Sequence, residues 1–141
     1  MNALKLKIPS LLENVRIVES FIDNAREQFQ FDDDIYGNIM VAVTESVNNA
    51  ILHGNRSDKN KNVHLSLIVD QDQLLFRIRD EGNGFNYKNL PDPTAPENLL
   101  QPGGRGIFLI QHLADECRFF NNGSTLEIAF KLQNSTNGQT A

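Results

Sequence analysis

Cysteine is nearly absent. Cys117 is the only one in 141 residues, so no internal disulfide can form. No Cys/His set has the spacing of a zinc site either, because the three histidines, His53, His64 and His112, are scattered. Long apolar runs are missing, which excludes a bilayer-spanning helix of the ordinary ~20-residue kind. The opening MNALKLKIPS lacks the apolar block of a secretory signal. A cytoplasmic protein with no membrane association is the expectation. Basic residues are outnumbered, 13 Lys and Arg against 18 Asp and Glu, for a formal net charge of -5. That balance argues against a general nucleic-acid binder and leaves room only for a local basic patch.

What is present suits a globular chain. Hydrophobic residues make up 40% and charged residues 22%, close to the soluble average. The length supports one domain with a real core and is too short for two ordinary ones.

Leu4, Leu6 and Ile8 alternate with polar residues and predict a short strand. Ser10 and Glu13 then read as a capping box. Leu11, Val15, Val18, Phe21, Ile22, Ala25 and Phe29 recur at helical spacing and predict a helix over about 11–29. Asp32, Asp33 and Asp34 suit the start of a second helix, where the backbone dipole favours negative charge. Ile35, Ile39, Val43, Val47, Ala50 and Ile51 continue it, and Gly54 is a plausible stop. A polar turn at 57–62 follows. Val63, Leu65, Leu67 and Val69, then Leu74, Phe76 and Ile78, alternate on either side of DQDQ and predict a hairpin.

DEGNGF, residues 80–85, comes next. Residues 86–102 hold Pro91, Pro93, Pro96 and Pro102, and a connection this long inside a compact domain is usually functional. GGRG, residues 103–106, then leads into the apolar run IFLIQHLAD, read as a third helix. Residues 117–120 read as a strand, with Cys117 packing as a small hydrophobe. After NNGST, the residues Leu126, Ile128, Phe130 and Leu132 alternate. The expected fold is α+β, a two-layer sandwich of a mostly antiparallel sheet with helices on one face. The domain is placed at 1–133, with 134–141 as a disordered tail.

The second helix contains VAVTESVNNAILHGN, in which Glu45, Asn48 and Asn49 interrupt an apolar run. Asparagine is a poor helix former because its side chain competes for backbone hydrogen bonds. Glu45 and Asn49 stand four apart and share one helical face. A carboxylate and an amide oxygen are hard ligands that suit Mg2+ or a positioned water. Taken alone, such a pair is more often solvated than ligating, since short motifs recur by chance. In DEGNGF, an ordinary turn is the bland reading. Gly82 and Gly84 also permit close backbone approach to a ligand, and Asp80 could accept a hydrogen bond from an amino group such as that of adenine. GGRG before a helix is either a plain helix start or an anion site, with Arg105 available to pair with a phosphate oxygen. Each signal is weak alone, and the three in this order reinforce one another. His53, beside Gly54 at the helix end, reads as a packing or capping histidine.

E-x-x-x-N on a helix, D-x-G-x-G after a strand and a G-x-G loop opening a helix resemble the GHKL ATPases of the Bergerat ATP-binding fold. TESVNNAILHGN, DEGNGF and GGRGIFLIQHLADE resemble most closely the small stand-alone bacterial anti-sigma factor serine/threonine kinases. The resemblance spans about residues 4–132. It implies ATP and Mg2+ as cofactors and a role for each matching residue. Glu45 matches the catalytic general base and Asn49 the Mg2+ ligand. Asn48 matches a neighbouring phosphate contact, and Asp80 the adenine-recognising residue. Gly82 and Gly84 match the wall beside it. Gly104, Arg105 and Gly106 match the phosphate-side loop, and residues 86–102 the ATP lid. Thr125 matches a polar residue closing the adenine end.

The implied activity is phosphorylation of a STAS-domain anti-anti-sigma protein, with a sigma factor or other regulator as second partner. Homodimers are common in that family, with no separate signal for one in this sequence. The alternative is a partner-switching module that binds ATP and grips a regulator without phosphoryl transfer. A histidine-kinase catalytic domain fits less well, because the first predicted helix has no histidine to accept phosphate.

Overall fold

The computed structural model describes residues 2–82 and 102–132, with backbone only at residue 2 and at 102–105. Strand β1 spans Asn2–Pro9, helix α1 Val15–Phe29 and helix α2 Asp33–Asn49. A hairpin of β2, Asn62–Asp70, and β3, Gln73–Arg79, follows. Helix α3, Pro102–Leu113, then precedes β4, Glu116–Phe120, and β5, Thr125–Lys131. The strands form one sheet in the order β1-β2-β3-β5-β4, and every adjacent pair is antiparallel.

The register places the apolar residues in rows across the sheet. Leu65, Ile78 and Leu126 are neighbours, as are Leu67, Phe76 and Ile128, and Val69, Leu74 and Phe130. Side chains alternate along a strand, so all of these point to one face. Apart from Val69, which is partly buried, they are buried there with Val18, Ile22 and Ala25 of α1, Ile39, Val43 and Val47 of α2, and Ile110 of α3. Phe76 and Phe130 meet edge to face, with ring centroids 6.1 Å apart. The other face carries the row Lys5, Ser66, Arg77, Glu127, in which Arg77 pairs with Glu127 at 2.6 Å. Two layers with the core between them is the expected α+β sandwich.

The start of α2 is as the acidic run predicts: the Asp32 carboxylate accepts the Ile35 N–H at 3.2 Å, and Asp33 and Asp34 lie in the first turn. The helix does not simply stop at Gly54. It widens over Ala50–Gly54 into a π-type turn, closed by the Asn55 N–H on the Ala50 carbonyl at 2.8 Å.

Two expectations need correction. Ser10 makes no capping box with Glu13, because it is buried and bonded elsewhere: its hydroxyl donates to the Lys61 carbonyl at 2.6 Å and accepts from Asn55 Nδ2 at 2.7 Å. A short 3-10 turn, Leu12–Asn14, leads into α1 instead. The GGRG segment does not precede α3 but lies inside its first turns, after Pro102. Proline suits the first helical position, where its missing N–H is no loss. Residues 86–101 of the anticipated lid and 134–141 of the anticipated tail lie outside the described residues. No described helix is long and apolar enough to cross a membrane. Burial pushes the Cys117 thiol up to about 11, so it stays protonated at neutral pH and packs as a small hydrophobe.

Candidate nucleotide site

A narrow cleft opens between the C-terminal end of α2, the ends of β3 and β4, the start of β5 and α3. Ile78, Ile107, Phe119 and Leu126 give it apolar walls, and Ser46, Asn49, Asp80 and Ser124 give it polar groups. A concave, apolar-walled cleft with a few convergent polar atoms is the usual form of a small-ligand site.

Asp80 is buried at the end of β3. Its N–H donates to the Ser124 carbonyl at 2.9 Å, and its Oδ1 accepts the Gly82 N–H at 2.9 Å. Burial raises its carboxyl above the usual range, while the Gly82 hydrogen bond and the nearby Arg79 and Lys61 charges pull it back. Gly82 is required by closeness: a Cβ there would overlap the Gly54 carbonyl and stand 3.3 Å from Asp80 Oδ1. The D-x-G turn is therefore pressed directly onto the end of the α2 segment.

Glu45 and Asn49 share the α2 face toward α3. A Cβ on Gly106 would lie 2.7 Å from Glu45 Oε2 and 3.1 Å from Asn49 Nδ2. The glycine thus lets the start of α3 approach the carboxylate and the amide together. The first N–H groups of any α-helix lack intrahelical acceptors, so this end of α3 presents donors and positive potential. Asn49 Nδ2 is the buried side-chain polar atom without a hydrogen-bond partner among the described residues. A buried amide left unsatisfied costs free energy unless a ligand completes it. Half a turn of the amide exchanges its nitrogen and oxygen at nearly the same positions, so the open atom serves as donor or oxygen ligand as the ligand requires.

Asn49 and Asp80 therefore line the cleft, Glu45 and Gly106 meet beside Asn49, and Gly82 lies against Asp80; Glu45, Gly82 and Gly106 are not themselves lining residues. Gly104 and Arg105 lie in the first turn of α3. Gly84 lies outside the described residues. Asn48 is half-buried on α2 and is not among the residues lining the cleft. Thr125 is buried beside it, opposite Arg79 in the sheet, and accepts a hydrogen bond from Asn121 Nδ2 at 3.3 Å. Sequence reasoning missed Ser46, which lines the cleft while its hydroxyl donates to the Ala42 carbonyl at 2.7 Å. It also missed Ser124, Phe119 and Asn55. A helical wheel would have found Ser46, one residue from Glu45 and three from Asn49. The others depend on tertiary contacts. Among the described residues no group of three His, Cys, Asp or Glu could hold a metal by itself. The donor set fits a hard cation that arrives with phosphate oxygens as its other ligands.

Comparison with known proteins bears on the family and the fold. The family model for the histidine kinase-like ATPase domain matches residues 8–130. The chain is 27% identical to the serine-protein kinase RsbW of Bacillus subtilis, over 84% of this chain and 78% of that protein. It is 32% identical to the anti-sigma F factor of Bacillus cereus, over 95% of each. Among solved structures it resembles the RsbU and RsbW domains of Rv1364c from Mycobacterium tuberculosis, with a TM-score of 0.65 at 14% identity. That likeness is one of fold; it covers 94% of this chain and 32% of the larger one. On the family match and on the fold, this chain belongs to the histidine kinase-like ATPase domain family, the GHKL group that its three motifs resemble.

Proposed function

We propose that this chain is an ATP-dependent serine/threonine protein kinase that acts as an anti-sigma regulatory factor. Its protein substrate is a STAS-type anti-anti-sigma partner, and its second partner is a sigma factor or another regulator. Phosphorylation of the first keeps the second captured, and the unphosphorylated first partner releases it. The observation that carries the reading is the meeting of Glu45 and Asn49 with Gly106 at the start of α3, beside the cleft that holds Asp80. The names of the relatives, serine-protein kinase and anti-sigma F factor, support the same reading.

In this reading the Asp80 carboxylate accepts the adenine amino group, and Ile78, Ile107 and Leu126 hold the ring. Gly82 and Gly84 form the wall beside it, and Thr125 closes that end. The phosphates lie toward Asn48, Asn49 and the first turn of α3, where Gly104 still has a backbone N–H without an intrahelical acceptor, Gly106 permits close approach, and Arg105 would add a charge partner. Asn49 would hold Mg2+, which when bound neutralises phosphate charge. Glu45 takes the proton of the acceptor hydroxyl as its oxygen bonds to the γ-phosphorus. The bond from that phosphorus to the bridging oxygen breaks, and ADP leaves with the electron pair. A base is useful because a serine hydroxyl is a weak nucleophile unaided. The domain is taken as 1–133, and homodimerisation belongs to the same proposal, to be checked by sedimentation.

The test is Glu45→Gln with radiolabelled ATP and a panel of purified STAS-domain proteins. Label transfer to serine is expected to fall by about 10²–10⁴-fold, the usual contribution of a positioned base, with ATP affinity within about twofold of the parent. Unchanged transfer would remove Glu45 from the mechanism. A parent protein that grips its partner equally with ATP and a non-hydrolysable analogue, and never yields phosphoprotein, would establish the switching module instead.

A further inference from the structure

Asn55 follows the π-type turn at the end of α2 and is 1% exposed. Its amide is fully used. Nδ2 donates to Ser10 Oγ at 2.7 Å and to the Asn62 carbonyl at 3.0 Å, and Oδ1 accepts the Glu81 N–H at 2.7 Å. The two backbone partners fix which end is which, because a carbonyl needs a donor and an N–H needs an acceptor. A side chain of this length carrying donor and acceptor on one planar group is required, and an aspartate in its place would set an oxygen against the Asn62 carbonyl.

The Glu81 N–H is the middle one of three consecutive backbone donors. The Asp80 N–H ties the end of β3 to Ser124, and the Gly82 N–H fixes the rotation of the Asp80 carboxyl. Of the three, the Glu81 N–H alone is anchored to the segment that ends α2. The contact of Gly82 with the Gly54 carbonyl leaves no slack at that junction. We infer that Asn55 is a positioning residue for nucleobase recognition. It holds the 80–82 turn against the end of α2 so that Asp80 faces the cleft, and thereby sets the preference for adenine over a purine with a carbonyl in place of the amino group. This rests on the reading of Asp80 as the adenine acceptor.

The experiment is calorimetric titration of the full chain with ATP and with ITP, both with Mg2+, for the parent, Asp80→Asn, Asn55→Leu and Ser10→Ala. The parent is expected to prefer ATP, and Asp80→Asn to lose the preference. Asn55→Leu keeps the side chain's size but leaves the Glu81 N–H without its acceptor, and is expected to weaken ATP binding by about tenfold, the loss that goes with one buried hydrogen bond, while ITP affinity stays within about twofold. Ser10→Ala removes a partner of the same amide on the side away from the turn, so it is expected to melt earlier yet keep the ATP to ITP ratio. If Asn55→Leu does not fold, Asn55→Ala is read by the same ratio. An Asn55 variant that melts earlier but keeps the parent ratio would make the residue merely structural and overturn the inference. A parent with no ATP preference would overturn the Asp80 reading first, and this inference with it.

Discussion

At the scale of single residues, Asp80 is held in a way that costs stability. Its folded-state pKa is raised, chiefly by burial, so the folded chain keeps that proton to higher pH than the unfolded chain does. Stability therefore falls as pH rises from the ordinary value of 3.8 through the raised one, and at neutral pH the whole cost is present. Asp80→Asn removes the charge and keeps an oxygen for the Gly82 N–H. It is expected to raise the nucleotide-free melting temperature at pH 7 by a few degrees, with the gain vanishing toward pH 3. Thermal melts across pH check this, and a variant that melts below the parent at pH 7 would sink it. The trade is ordinary for a binding group, which is destabilising until its ligand arrives. Asp80, Glu45 and Asn49 were legible in the sequence because each breaks a local rule: a carboxylate and an asparagine inside an apolar helix, and an acid at a strand end before glycines. Asn55 was not, because its partners Ser10 and Glu81 are 45 and 26 residues away.

At the scale of elements, the strands and helices were legible because alternation and helical spacing are unbroken where they face the core. The errors fell at element ends, where tertiary contact overrides local preference. Ser10 has the pattern of a helix cap but serves the Asn55 network instead. The glycines at 103–106 have the lowest helix propensity short of proline, yet they lie within α3. Gly106 gives the reason, since any side chain there would collide with Glu45. Gly106→Ala should therefore separate stability from chemistry. Alanine favours the helix by about 1 kcal/mol, so the melting temperature should hold or rise. The added methyl would stand 2.7 Å from Glu45 Oε2 and must push the carboxylate aside. Phosphoryl transfer is expected to drop about 100-fold, in line with the sensitivity of positioned groups to small displacements. A melt beside a transfer assay distinguishes this from general damage, and undiminished transfer would show that Glu45 tolerates the shift.

At the scale of the whole molecule, the cleft draws its walls from α2, β3, α3, β4 and β5, and those elements also build the single core. A nucleotide held there binds the folded chain and not the unfolded one, because no one segment carries enough of the site. It should then stabilise the entire cooperative unit by RT ln(1 + [L]/Kd), about 2.7 kcal/mol at a hundredfold excess over Kd. For a domain of this size that corresponds to a rise in melting temperature of roughly 10 °C. The expectation is one transition moving as a whole when ATP and Mg2+ are added. The shift should be smaller when the metal is chelated, since Asn49 and the α3 terminus would then face the full phosphate charge. It should also be smaller in Asp80→Asn. Differential scanning calorimetry at several ATP concentrations reads all three. Two transitions of which ATP moves only one would mean that the cleft and the core unfold separately. That result would contradict the shared packing of Ile78, Leu126 and Ile128 with the helices above them.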